Sequence, residues 1–345
     1  MLVIPCCSLC HHLCVKTIAI LSLATLLMLA FSGCTSPAPT VVSLSYPMEG
    51  EEGKASYLEL AHCYAPVIHQ GVASDQDFIT AVNFDGDWIG NNNWDNFPHG
   101  DLAAYVYYSV IETETHFFIF YSLFHPRDYE PFCLPFLCHE NDMESIQLVV
   151  LKDGTEFGRL QALETLAHSH LYLYAASPEV QDGHLKVQGA VIWDRGRPAI
   201  YVETYGHGIY GAPVELKAGE VVYRPGEVAE VPESIDAPEV GYRLLPIYEV
   251  LWSRRDQVGD GKLYDRPFDY RGVSLPGAFD GDDYGHDRAN PPWGYSQGNG
   301  EELVRGDWFL DLARALAYHA TFPEPFSRGY LFNPYLADLG LLEGG

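Results

Sequence analysis

The segment CHENDMES, residues 138–145, holds three residues that can bind a metal ion within one short stretch. Asp142 and Glu144 are two apart, so on a β-strand their carboxylates project from the same face. His139 precedes them, where a bend or bulge would bring its imidazole alongside. Two carboxylates and an imidazole on one face either strain one another or share a cation. A mostly oxygen ligand set predicts Mg²⁺, Ca²⁺ or Mn²⁺ rather than Zn²⁺; the alternative is a group of ordinary surface polar residues.

A fourth candidate ligand, Asp128, is the next-to-last residue of the upstream segment YSLFHPRDY (121–129). The two segments together resemble the necrosis-inducing (necrosis- and ethylene-inducing-like) protein family, in which Y-x-W-Y-F-P-K-D is followed by G-H-R-H-D-W-E. The H-x-G-D-W-E motif of vacuolar protein sorting family sequences matches the same three positions of the second segment. The resemblance implies a β-sandwich with one divalent cation bound by Asp128, His139, Asp142 and Glu144. It also implies a pocket beside that cation for a polar glycan or lipid headgroup.

Three further histidines are candidates for lining the same pocket. His168 and His170 lie in LAHSH, and His207 lies in RPAIYVETYGHGIYG (197–211), which is similar to a segment of the vacuolar sorting group. A neutral imidazole near a cation can orient a water or a ligand hydroxyl. If the protein is an enzyme, His168, His207 or Glu140 is predicted to be its catalytic base.

A second possible cation site is the loop FDGDWIGNNNWDN (84–96). It offers oxygen donors from Asp85, Asp87, Asn91 and Asn93, which suit Ca²⁺. Its spacing is not that of an EF-hand. The favoured interpretation is a turn-rich loop whose Asp and Asn side chains bond their own backbone.

The composition excludes some classes of function. The 345 residues carry 20 Lys+Arg against 47 Asp+Glu, a formal net charge of −27. Phosphate binding needs clustered Lys and Arg, so no nucleic-acid partner is expected. The sequence also has no G-x-S-x-G elbow, P-loop, dinucleotide fingerprint or H-E-x-x-H.

The N-terminus predicts a lipoprotein of the bacterial cell envelope. The apolar run 17–32 fits a signal-peptide core, and the sequence Phe-Ser-Gly-Cys that ends at Cys34 resembles a lipobox. We therefore expect a signal peptide over 1–33, a lipid on Cys34 that anchors the protein to a membrane, and a tether over 34–53. A plain secretory signal or an uncleaved anchor is the alternative. Translation starting at Val15 would give a more compact signal with Lys16 at its head.

An exported chain can keep disulfides, and Cys133 and Cys138 bracket a short loop. They are the predicted disulfide pair, whereas Cys63 is expected to be free.

The elements that must position these residues are mostly strands. Helices are predicted for 54–65, 248–257 and 308–320. The strand candidates are aromatic and β-branched segments between turn signals: 104–111, 116–124, 144–151, 170–176, 189–193, 199–204 and 219–224. Their close spacing predicts a mostly β fold, an antiparallel β-sandwich with peripheral helices and long loops, in a single domain over 54–345.

Three functions fit this sequence. The first is an envelope lipoprotein that binds a divalent cation and a polar glycan or lipid headgroup. The second is a metal-dependent hydrolase of a lipid or glycan ester. The third is a structural surface lipoprotein in which the cation only joins strand ends.

Overall fold

Most of the chain after the predicted tether is described by a computed structural model. The described residues are 55–130, 132, 138–281, 289–296 and 302–342. The predicted signal peptide (1–33), the lipidation site Cys34 and the tether (34–53) lie outside them. Within the described residues, no helix is both long and apolar enough to span a bilayer.

Strands dominate the described chain. In chain order they are β1 (Val67–Val72), β2 (Tyr105–Thr113), β3 (His116–Asp128), β4 (His139–Leu151), β5 (Arg159–Ala167), β6 (His170–Ala175), β7 (Gln181–Asp182), β8 (Val187–Ala190), β9 (Trp193–Asp194), β10 (Arg197–Val202), β11 (Ile209–Tyr210), β12 (Gly219–Pro225), β13 (Val240–Pro246), β14 (Tyr264–Asp265), β15 (Phe268–Tyr270), β16 (Val273–Leu275), β17 (Ala278–Phe279), β18 (Ala320–Thr321) and β19 (Tyr330–Phe332).

Short helices connect and cover these strands. The α-helices are α1 (Tyr57–Tyr64), α2 (Asn93–Asn96), α3 (Ile247–Val250), α4 (Asp307–Leu310), α5 (Leu312–His319) and α6 (Pro334–Asp338). The 3₁₀ turns are Asp75–Asp77, Gly90–Asn92, Phe97–His99 and Trp252–Arg254. The predicted N-terminal helix is confirmed: α1 begins at a capping box in which the Ser56 hydroxyl and the Glu59 carboxylate bond each other's backbone amide.

One large sheet carries the fold. Its main path is β11-β10-β1-β12-β13-β2-β3-β4-β5-β6-β8, with β9 beside β10 and β19 beside β2. The sheet curls into a half-barrel, and β11 at one edge also contacts β4 and β5. The curl encloses one hydrophobic core between β1, β10 and β12 on one side and β2 to β5 on the other.

A second core lies on the other face of the central strands. Along β3, Ile119 and Tyr121 face the enclosed core, whereas Phe118 and Phe120 face the second core. The C-terminal third covers this second face with aromatic side chains that include Trp252 and Trp308. Strands β3 and β4 are therefore buried on both faces, as in sheets covered by other layers.

The prediction of a mostly β fold is confirmed, but the prediction of an antiparallel sandwich is wrong in its pairing. The sheet is mixed: β1 with β10, β12 with β13, β13 with β2, and β6 with β8 are parallel pairs. Each of these pairs joins segments that no tight turn connects. Hydrophobic alternation in the sequence marks a strand but does not encode such long-range partners.

Candidate metal centre

The ends of β3 and β4 bring the motif residues together. In the antiparallel register His125 lies opposite Asp142, and Asp128 lies opposite His139. Asn141 has a left-handed backbone, with φ of 62°, which interrupts the alternation of β4. The His139 ring then turns so that its Nδ1 lies 2.7 Å from the Asn141 carbonyl oxygen and its Nε2 lies 3.3 Å from Asp128 Oδ2. The bend that the sequence required before Asp142 is therefore present.

The most buried part of the cluster is formed by His125, Asp142 and His207. Both imidazoles are fully buried, and their rings stack with centroids 3.8 Å apart and 13° between the ring planes. His207 Nδ1 lies 2.7 Å from Asp142 Oδ2. One possible ligand atom from each of the three lies within 4.8 Å of those of the other two, which is close enough to share a metal ion. Among the described residues, this is the group of three or more metal-ligand side chains that meets that distance.

His207 reaches the cluster from a strained turn between β10 and β11. Tyr205, Gly206 and His207 have φ of 68°, 65° and 46°, so three successive residues are left-handed. The conformation costs about 1–2 kcal/mol for each non-glycine residue. The Gly206 amide donates to Asp128 Oδ1 at 3.0 Å, which ties the turn to the end of β3. Strain of this kind persists only where the surroundings fix it, and it is common at functional sites.

Burial and neighbouring charge raise the pKa values of two acidic groups of the cluster, Asp128 and Glu144. Burial and the nearby Asp142 carboxylate raise the pKa of Asp128 to about 6. The same two causes, in the same order, hold the pKa of Glu144 well above its usual range. The Glu144 carboxyl therefore tends to retain its proton unless a positive charge replaces it, and Asp128 holds its proton more tightly than an ordinary aspartate.

The two histidines respond in opposite directions. Burial, and then the charge of His207, hold the pKa of His125 well below its usual range. Burial alone would also lower the pKa of His207, but its bonds to Asp142 and Asp77 raise it to about 10. The cluster thus holds one neutral and one protonated imidazole in the cation-free protein.

Several buried polar atoms of the cluster have no hydrogen-bond partner. Neither His125 Nδ1 nor His125 Nε2 has one, and Glu144 Oε2 has none. An unsatisfied buried polar group costs about 1–3 kcal/mol. A cation bound among His125, Asp142 and His207 would give one of the two His125 nitrogens a partner and would offset the charge of the neighbouring acids, so the residues present fit a metal ion.

The cluster opens to solvent along one edge. Asp128 is 17% exposed there, and Glu203 is 25% exposed. His168 pairs with Glu203 and is 57% exposed; its bond to that carboxylate raises the pKa of His168. His170 is exposed, with its Nδ1 2.8 Å from the carbonyl oxygen of His168.

Other candidate residues have structural contacts. Glu140 is buried and accepts a hydrogen bond from the Trp94 amide at 2.7 Å, which ties β4 to the 84–96 loop. In that loop Asp85 accepts from the Asp87 amide and Asp87 accepts from the Ile89 amide. The loop therefore bonds its own backbone, as the turn interpretation expects.

The side-chain nitrogens of the other two candidates are engaged, whereas Asn93 Oδ1 is buried without a hydrogen-bond partner. Asn91 donates to Asp260, and the Asn93 side chain donates to Asn141. These contacts join the loop to its neighbours.

The cysteine predictions fall partly outside the described residues. Cys138 is disulfide-bonded, but its predicted partner Cys133 lies outside them. Cys63 is free and half-buried, as expected.

Sequence reasoning missed His125, Asp77 and Glu203. His125 continues the inward-facing series of Tyr121 and Leu123 on β3. A histidine on an otherwise apolar strand face, opposite Asp142 of the motif, was the available signal. Asp77 and Glu203 come from loops whose approach to the site depends on the tertiary fold.

Comparison with known proteins identifies a partial likeness. No sequence-family profile matches the chain, and no curated protein sequence matches it. Among solved structures, it is similar to non-toxic HaNLP3 protein, with 14% identity, 61% of this chain and 85% of that chain covered, and a TM-score of 0.34. NLPPya in complex with glucosamine gives 16% identity, 63% and 87% coverage, and a TM-score of 0.34.

A third similar structure is Necrosis and Ethylene inducing Protein 2 from the causal agent of cocoa's witches' broom disease. It is 14% identical over 45% of this chain and 66% of that chain, with a TM-score of 0.29. These structures come from the family that the motif segments resemble. The likeness concerns the fold alone.

Proposed function

We propose that this protein is a lipid-anchored protein of the bacterial cell envelope that binds one divalent cation at the open end of its curled sheet. His125, Asp142 and His207 are the inner ligands. Asp128, His139 and Glu144, the rest of the set predicted from the motif, surround them. The observation that carries the proposal is the fully buried His125 ring, whose two nitrogens lack partners beside Asp142 and His207.

The donor set bears on the choice of metal. The sequence motif alone, with one imidazole and three carboxylates, favours Mg²⁺, Ca²⁺ or Mn²⁺. His125 and His207 add two imidazoles, which suit transition metals better than Mg²⁺ or Ca²⁺. We therefore expect Mn²⁺ or Zn²⁺ to bind more tightly than Mg²⁺ or Ca²⁺.

We further propose that the cation takes part in binding a polar ligand, either a glycan or a lipid headgroup. The exposed edge of the cluster carries Asp128, Glu203 and His168, so hydrogen-bonding groups surround the side that solvent can reach. Hydroxyl or phosphate oxygens are hard donors that a divalent cation accepts. An anchor at Cys34 would keep this edge close to the envelope surface.

Metal analysis of the purified full chain tests the proposal. We expect about one equivalent of cation in the wild type, and a loss of it in His125→Leu, Asp142→Asn and His207→Gln. Asp153→Asn is the matched control, because Asp153 is an exposed acid whose contacts lie within its own turn. Equal metal content in the wild type and in all three site variants would contradict the proposal.

A further inference from the structure

Asp77 is a buried carboxylate on the far side of His207 from the proposed cation. Its side chain is fully buried, and its Oδ1 lies 3.3 Å from His207 Nε2. No sequence pattern connects it with the motif, because it lies in the loop after β1.

The orientation of Asp77 is fixed by backbone groups. Its Oδ2 accepts hydrogen bonds from the Ala73 amide at 2.8 Å and from the Ser74 amide at 2.9 Å. Its own carbonyl oxygen accepts from the Gln70 side chain at 2.6 Å. Since Oδ2 is occupied by two donors, Oδ1 is the oxygen left to face the imidazole.

Both nitrogens of His207 face carboxylates, Nδ1 facing Asp142 and Nε2 facing Asp77. A carboxylate oxygen can only accept, so Asp77 requires a proton on His207 Nε2. Asp142 accepts from Nδ1 in the same way until a cation takes that position. Because Asp77 keeps the proton on Nε2, Nδ1 is the nitrogen that gives up its proton and turns its lone pair to the cation. Metal-binding histidines are commonly held in this way by a carboxylate on the other ring nitrogen.

We propose that Asp77 is a positioning residue that holds His207 with its proton on Nε2, so that Nδ1 is presented to the divalent cation. The part of this inference that concerns the cation rests on the proposed function. The part that concerns the proton on Nε2 does not.

Asp77→Asn is a sharp test because the two backbone amides fix the orientation of the asparagine side chain. The amides of Ala73 and Ser74 need an acceptor, so the asparagine oxygen faces them and its NH₂ group faces His207. An NH₂ group donates, so Nε2 loses its proton and Nδ1 carries one. This tautomer blocks the nitrogen that the cation needs.

Zn²⁺ affinity is measured by competition with a chromophoric chelator in four proteins: wild type, Asp77→Asn, His207→Gln and the double variant. We expect Asp77→Asn to weaken Zn²⁺ binding by roughly 10- to 100-fold. We expect the double variant to bind no more weakly than His207→Gln, because Asp77 acts only through His207. An additional loss in the double variant would show that Asp77 acts in some other way and would overturn the inference.

Long-range ¹H–¹⁵N correlation spectra of the histidine rings give the second readout, with His207→Gln used for assignment. In the wild type, with or without Zn²⁺, Nε2 of His207 should be protonated, and in Asp77→Asn it should not. A wild-type spectrum in which Nε2 is bare overturns the inference even if the variant does not fold. If the wild type binds no Zn²⁺ but the variant loses the Nε2 proton, the proposed function fails and the positioning of His207 by Asp77 stands.

Discussion

Replacing His125 with leucine is expected to stabilise the cation-free protein while abolishing its response to divalent cations. The two ring nitrogens of His125 are buried without partners. Leucine leaves no polar atom there and has a comparable volume. For a residue that serves only the fold, a leucine substitution would change the free energy of unfolding by the same amount with and without cation.

The magnitude follows from the unsatisfied atoms. Each unpartnered buried polar group costs about 1–3 kcal/mol, so removing both relieves roughly 2–6 kcal/mol. Imperfect packing of leucine against the His207 ring offsets this gain by up to about 1.5 kcal/mol. We expect a net gain of about 0.5–6 kcal/mol in the free energy of unfolding in chelator, which is a rise of at least about one degree in Tm by the usual scaling of about 2–4 °C per kcal/mol.

Adding cation should shrink this difference in stability or reverse it. A ligand at 100 times its Kd stabilises the folded wild type by about 2.7 kcal/mol. His125→Leu should gain little, because one of the three inner ligands is missing. Thermal unfolding is followed by circular dichroism, first in chelator and then across a Mn²⁺ or Zn²⁺ titration.

His116→Leu is the matched control. His116 is also fully buried, but its Nε2 lies 2.9 Å from Gln161 Oε1 and its Nδ1 lies 2.8 Å from Thr115 Oγ1. This variant should lose about 1–3 kcal/mol with or without cation, because the Oε1 atom of the buried Gln161 loses its partner. If His125→Leu destabilises the protein in chelator as His116→Leu does, the reasoning about unsatisfied nitrogens is refuted.

Two further predictions concern the supports of the site and the pH dependence of the fold. Asn141→Ala should lower the free energy of unfolding, measured in urea, by about 2–4 kcal/mol. Alanine is strained at φ of 62°, and the hydrogen bonds to the Gly90 and Asp280 carbonyls are lost. A loss no greater than that of Asn141→Gly would contradict the role given to backbone strain. Burial lowers the pKa of His116, so stability that depends on its neutral form is present above the ordinary histidine pKa and is lost as pH falls through it. Urea unfolding between neutral and mildly acidic pH should show a smaller drop for His116→Gln than for the wild type, and an equal drop would contradict this assignment.

Much of the central sheet could be predicted from sequence because β2, β3 and β6 are aromatic, β-branched segments joined by short turns. β5 could not. Its sequence RLQALETLA is rich in helix-forming residues, and its buried polar groups take partners from distant segments. Glu164, for example, accepts from Trp308 and lies 2.9 Å from His319 Nδ1. Tertiary packing therefore overrides local propensity in this strand.

The candidate site was predictable to the extent that it lies within one pair of strands. The spacing of His139, Asp142 and Glu144 follows strand periodicity, and Asp128 ends the neighbouring strand. His207 could be nominated by type, but its contact with Asp142 depends on the left-handed turn at 205–207 and on the parallel pairing of β1 with β10. No local pattern encodes either feature.

The central claim is that His125, Asp142 and His207 hold one divalent cation. Anomalous diffraction from crystals of the full chain loaded with Zn²⁺ or Mn²⁺ tests it most directly, because it locates the ion rather than its consequences. We predict one strong peak within bonding distance of both imidazoles and the Asp142 carboxylate. A loaded crystal with no peak there, or with its strong peak in the 84–96 loop, would contradict the account.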